Sequence, residues 1–179
     1  MDYKAVIDFW FNEISEQQWW VKDEQLDQEI KTRFLELHAR ANKGELYFWR
    51  KTAQGRLAEI IVLDQFSRNI FRDTPKAFAS DTLALVLAQE AIALGDDLKV
   101  SENRRSFIYL PYMHSESLVI HQQAVKLYTQ LGNASTLEFE QKHKKIIEKF
   151  GRYPHRNVIL GRKSSLEELL FLQQPDSSF

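Results

Sequence analysis

The 179-residue chain is 44% apolar and 27% charged, near the averages of soluble globular proteins, which supplies a real core and excludes disordered or coiled-coil readings. Lysine and arginine total 24 against 25 aspartates and glutamates, a formal net charge of −1, so bulk charge points to neither a nucleic-acid nor a membrane partner. The absence of cysteine rules out disulfides, thiolate zinc sites, iron–sulfur clusters and a cysteine nucleophile. The opening MDYKAVIDFWF carries Asp2 and Asp8 in place of a basic stretch. No apolar run approaches the roughly 20 residues of a membrane span, and a cytoplasmic chain forming one domain over residues 1–179 is expected.

Apolar residues recur at intervals of three and four throughout, so the expected fold class is all-α: a single compact antiparallel helical array. Asp2 is a candidate N-cap for a short first helix bearing Val6, Phe9 and Trp10. A second helix runs from about Asp23 to Ala41 on the stripe Leu26, Ile30, Phe34, Leu37 and Ala41, and Lys43-Gly44 ends it. From Gly55 the stripe Leu57, Ile60 and Ile61 continues into Asp64 and Arg68, placing a polar pair where core residues are due. Thr74-Pro75 predicts the start of a helix that carries Leu83 to Leu94 and stops at Gly95. A short helix from Arg104 to Leu110 is expected to halt at Pro111, with another from about Tyr112 to Leu131 closed by Gly132-Asn133. Ser135-x-x-Glu138 and Ser165-x-x-Glu168 have the capping-box pattern and open the last two helices, ahead of a polar tail.

Phosphate loops, GxSxG elbows, HExxH and EF-hand loops are missing. Three polar segments in apolar surroundings carry the chemistry that the chain can offer. In Leu63 to Asn69 and on to Arg72, the carboxylate of Asp64 and the guanidiniums of Arg68 and Arg72 recur at helical spacing, with Gln65 and Asn69 one turn apart. They could form a structural salt bridge, or an arginine fork for a phosphate or carboxylate with Asp64 orienting it. In Leu110 to Glu116, His114, Ser115 and Glu116 fall near an expected helix N-terminus, where free N–H groups favour anions. His114, Ser117 and His121 share a face, and a histidine there could shuttle protons. The bland alternative is that Ser115 caps the helix and Glu116 complements its dipole.

In Phe150 to Asn157, the turn holds Arg152, His155, Arg156 and Asn157, directly after a helix whose inward stripe includes His143. The alternative is a basic turn that merely caps the preceding carbonyls. His114, Glu116, His143 and His155 are possible ligands for zinc, iron or manganese, but they lack diagnostic spacing, so no metal and no cofactor is assigned. The cationic residues between Lys142 and Lys163 give RNA only a local electrostatic foothold without exposed stacking aromatics, and no nucleic-acid partner is expected.

At these segments the chain resembles a bacterial family catalogued as domain of unknown function 924. The matching stretches are Val6 to Phe11, LDQFSRNIFR at Leu63 to Arg72, LPYMHSE at Leu110 to Glu116, FGRYPHRN at Phe150 to Asn157, and LGR at Leu160 to Arg162. The resemblance implies an all-α, tetratricopeptide-like fold and no particular activity.

The residues themselves predict a pocket where the three segments meet and hold a small anionic molecule or an acidic peptide. Its ligand-binding residues would be Asp64, Arg68, Asn69, Arg72, Arg152, His155, Arg156 and Asn157. The alternative is a hydrolase or transferase acting on a phosphorylated or carboxylated small molecule, with His114 or His143 as acid/base and Glu116 or Asp64 as its orienting carboxylate.

Overall fold

Capping and burial together set the helices. A computed structural model describes residues 1–175 and 177; positions 176, 178 and 179 of the polar tail lie outside the described residues. The helices are α1 (Tyr3–Asp8), α2 (Glu24–Asn42), α3 (Ala53–Ile70), α4 (Asp81–Ala93), α5 (Glu102–Met113), α6 (Leu118–Leu131), α7 (Ala134–Phe150) and α8 (Leu166–Phe171). With no strand among the described residues, the fold is all-α. None of these helices is long and apolar enough to cross a membrane. Contacts gather into two compact units, Met1–Arg72 with Lys76–Pro111, and Asp73–Pro75 with Tyr112–Phe179.

The first unit is organised by α3, which is buried on every face from Leu57 to Ser67. Phe66 of α3 packs 4.7 Å, centroid to centroid, from Phe34 of α2, and Trp10 stands edge-on to Phe66 and Phe107. Asp23 caps α2 by accepting from the N–H groups of Gln25 and Leu26 at 2.9 and 3.1 Å, and Thr52 caps α3 through Gly55 N–H at 3.0 Å. Gly55 is required by proximity: a Cβ there would lie 2.0 Å from the Trp49 carbonyl oxygen. Because α3 has no wet face, its polar groups need protein partners. Glu59 takes two 2.7 Å hydrogen bonds from Arg50, and Ser67 donates to the Leu63 carbonyl.

In the second unit α6 packs against α7. Gly132, left-handed at φ +79°, ends α6, and Asn133 caps α7 by accepting from Thr136 N–H at 3.2 Å. Ile146, Ile147 and Tyr153 form a buried cluster with Phe150 and Phe171 packed against it.

Four boundaries differ from the sequence expectation. Pro75 opens only a three-residue 3-10 turn, Pro75–Ala77, and α4 starts at Asp81. Pro111 does not halt α5, which runs on to Met113. The helix expected from Tyr112 begins instead at Leu118. Asn133, and not Ser135, caps α7, because an amide side chain directly after the glycine turn already satisfies the first free donors. The second capping box forms as expected: Ser165 N–H donates to Glu168 at 2.7 Å, and Glu168 N–H donates to the Ser165 hydroxyl at 3.2 Å.

Candidate functional site

The first polar segment lies in the unit built on α3, where carboxylates meet its cations. Asp64 is fully buried, 3.2 Å from Arg68, and also accepts from Gln65. Arg68 makes a two-pronged contact with Asp81 of α4 at 3.0 and 3.1 Å. Arg72 falls beyond the end of α3, where it and Asn69 donate to Asp27 of α2. The expected arginine fork is thus occupied by this unit's own carboxylates.

The second and third segments come together in the other unit, around Tyr153. Gly151, left-handed at φ +68°, ends α7, and the chain turns so that Tyr153 is fully buried ahead of the 3-10 turn Pro154–Arg156. Tyr153 N–H donates to Glu116 at 2.8 Å, and its hydroxyl donates to the Met113 carbonyl at 2.5 Å. Arg162 grips both oxygens of Glu116 at 2.6 and 2.8 Å and donates through Nε to Asn157 at 2.9 Å. Burial works against charge on Glu116, but the hydrogen bonds from Arg162 and Tyr153 outweigh it, and the carboxyl sits below its ordinary value. Arg152 is held by Glu168 through 2.7 and 2.8 Å bonds, which with the Ser165 N–H bring the Glu168 carboxyl down to about 2. Asn157 is fully buried and donates to Ser164 at 3.0 Å.

Histidines surround the Tyr153 ring: His121, His143 and His155 lie 6.3, 5.8 and 5.4 Å from it, centroid to centroid. The Arg156 guanidinium covers the same ring at 4.6 Å. His114 lies in the connection between α5 and α6, outside the helix N-terminus expected for it, and close enough to act electrostatically on His143 and His155. His143 points inward as its stripe requires and bonds through Nδ1 to the Phe139 carbonyl at 2.8 Å, so Nδ1 carries the hydrogen. Burial, reinforced by the neighbouring histidines, pushes His143 down to about 3 despite that bond. Burial and then the Arg156 charge push His155 down to about 4, with His114 and Arg162 acting in the same direction and Glu116 opposing. The Nδ1 atom of His155 is buried and makes no hydrogen bond.

Next to Tyr153 is a pair of which the sequence reading named His121, on the face of His114 and Ser117, but not its partner Glu140. His121 and Glu140 are both fully buried, with Nδ1 and Oε1 2.8 Å apart. The Ser115 carbonyl, 2.8 Å from His121 Nε2, can only accept, so Nε2 carries a hydrogen. A hydrogen bond between Nδ1 and Oε1 then requires one further hydrogen, on the imidazole or on the carboxyl. Burial raises the Glu140 carboxyl, only partly offset by His121, and its Oε2 atom has no partner. Glu140 could have been found by spacing, since it precedes His143 and Ile147 by three and seven positions on one stripe. Arg162 carried a weaker signal, one cation among several, because its partner Glu116 is 46 residues away.

The frame is therefore an all-helical protein with a histidine–arginine cluster packed on one buried tyrosine. The chain belongs to the family described as bacterial protein of unknown function DUF924, whose model matches residues 6–176. It is similar to the solved structure of the protein of unknown function ATU0120 from Agrobacterium tumefaciens, with 38% identity, 96% of each chain covered and a TM-score of 0.91. No curated protein matches.

Proposed function

We propose that the chain binds a small anionic molecule, or an acidic side chain of a peptide, at the cluster of His114, His143, His155 and Arg156. The observation that carries this reading is the buried, unpartnered Nδ1 of His155 beside the Arg156 guanidinium on the Tyr153 ring. A buried polar atom without a partner is costly, and a ligand oxygen would supply the missing partner within a cationic surrounding. Arg68, Asn69, Arg72, Arg152 and Asn157 support the fold in this reading, since each already holds a protein group. The test is a thermal-shift series with inorganic phosphate, sulfate, citrate and an acidic peptide. A ligand of the folded state raises the melting temperature by mass action. Arg156→Ala should abolish that rise; a folded variant that keeps the full rise would overturn the reading and make the cluster purely structural.

A second reading, a hydrolase or transferase acting on a phosphorylated or carboxylated small molecule, is favoured by the His121–Glu140 pair, the carboxylate-oriented imidazole such chemistry needs. It ranks below binding because His121 is fully buried and its Nε2 faces the Ser115 carbonyl.

A further inference from the structure

We propose that the connection between α2 and α3 docks the protein on an anionic lipid surface, with Tyr47 and Phe48 entering the interface and Lys43 and Lys51 meeting the headgroups. This goes beyond the anion-binding reading and involves none of its residues. The connection divides its apolar side chains between two faces. Leu46 and Trp49 are buried and hold the 3-10 turn Tyr47–Lys51 in place. Between them in sequence, Tyr47 and Phe48 are 68% and 44% exposed. Their rings stand at 88° to each other, 6.0 Å apart, and the Trp49 ring is 6.4 Å from Phe48. Scattered exposed apolar residues are ordinary, but two adjacent rings with an exposed lysine on each flank form a patch.

The charge balance of the connection suits a negative surface. Glu45 is taken by Arg40 at 3.3 Å, and Glu59 of α3 takes Arg50 through two 2.7 Å bonds. Glu90 of α4, which also acts on Arg50, lies 3.9 Å from Arg56. On the side of α1, Tyr3 packs edge-on against Trp49, and its neighbours Asp2 and Lys4 cancel in charge. Lys43 and Lys51 are exposed and have no ion pair among the described residues, so they leave the tip a positive surplus. Aromatic rings settle at the headgroup level of a bilayer, and lysines beside them gain from its negative surface potential. The formal net charge of −1 opposes such a surface only weakly. Perpendicular rings on one turn suit a soft interface better than a peptide strand, to which they offer no pair of parallel walls. The attachment is reversible, since each lysine adds about fivefold to partitioning and stable anchoring takes stronger signals.

The test is cosedimentation of the full chain with vesicles of phosphatidylserine and phosphatidylcholine, and with vesicles of phosphatidylcholine alone, at low and at high salt. The chain should partition onto the anionic vesicles at low salt and be released by high salt or by leaving out phosphatidylserine. Lys43→Gln combined with Lys51→Gln should lower partitioning about 25-fold. Tyr47→Ser combined with Phe48→Ser should abolish it. All four side chains are exposed, so both variants should keep the melting temperature of the wild type. Failure of the wild type to partition at low salt would overturn the proposal. So would equal partitioning onto both kinds of vesicle, or undiminished partitioning of the folded ring variant, which places the contact elsewhere on the chain. Capture of a polyglutamate peptide, or a dimer that the ring variant dissolves, in the absence of vesicle binding would overturn it in favour of a protein-docking surface.

Discussion

The two compact units treat buried ionisable groups differently. Around α3, opposite charges meet: Asp64 and Asp81 at Arg68, Asp27 at Arg72, Glu59 at Arg50. In the unit that includes Tyr112 onward, the carboxylates Glu116 and Glu168 are likewise gripped by Arg162 and Arg152, but His143 and His155 meet an aromatic ring, and His143 a backbone carbonyl and neighbouring histidines. Paired opposite charges lose heavily when one partner is removed and respond little to pH near neutrality. Buried neutral histidines behave in the opposite way, because a proton is enough to turn a tolerated group into an uncompensated charge.

The largest expected effect breaks the charge-paired side of that contrast. Arg68→Ala leaves Asp64 buried and Asp81 without its two-pronged partner, and should cost about 4 kcal/mol of stability. Asp64→Ala should cost less, on the order of 3 kcal/mol, since Arg68 keeps Asp81. Urea midpoints measure both, and losses below about 1 kcal/mol would mean that the pairs behave as screened surface contacts.

An intermediate effect tests the histidine side. With His143 held at about 3 and His155 at about 4, the unfolded chain binds more protons than the folded one below the ordinary histidine value. Their contribution is complete above about pH 6.5 and is lost as pH falls, at up to about 1.4 kcal/mol per pH unit for each histidine. His143→Gln should flatten the stability profile between about pH 6.5 and 4. Glu116 and Glu168, both held low, add acid sensitivity of their own only as pH falls below the ordinary carboxylate range, for Glu168 down to about 2.

The smallest effect sharpens the contrast at a single atom pair. Glu140 is raised, so its charged form is the one the fold disfavours. Glu140→Gln keeps a donor for His121 Nδ1 and removes that charge, and should change stability by less than about 1 kcal/mol at neutral pH. Glu140→Ala, which also strips the imidazole of its partner, should cost about 2 kcal/mol. A large loss in the glutamine variant would show instead that His121 and Glu140 form a true ion pair, like those around α3. Denaturation of the three proteins at matched pH decides it.

Helical periodicity, the Asp2 cap, the start of α2 near Asp23, the Ser165 capping box and the inward direction of His143 were all legible in the chain, because each depends on residues within a turn or two of one another. Reading α3 as one-sided was the natural inference from a stripe, yet its second face is buried too, and only the packing of its neighbours could reveal that. The family was likewise recognisable from short motifs, and the match over residues 6–176 bears that out. Long-range pairing was not legible. Asp27 with Arg72, Arg68 with Asp81, Glu116 with Arg162 and His121 with Glu140 join residues 45, 13, 46 and 19 positions apart. A charge in the sequence shows that a partner is needed without saying which one. The sequence by itself determined which groups would have to be buried and satisfied; tertiary structure alone decided which of them neutralise each other and which histidines gather around Tyr153. The physical reason is that helix geometry follows from local spacing, whereas partner choice follows from how helices distant in the chain pack.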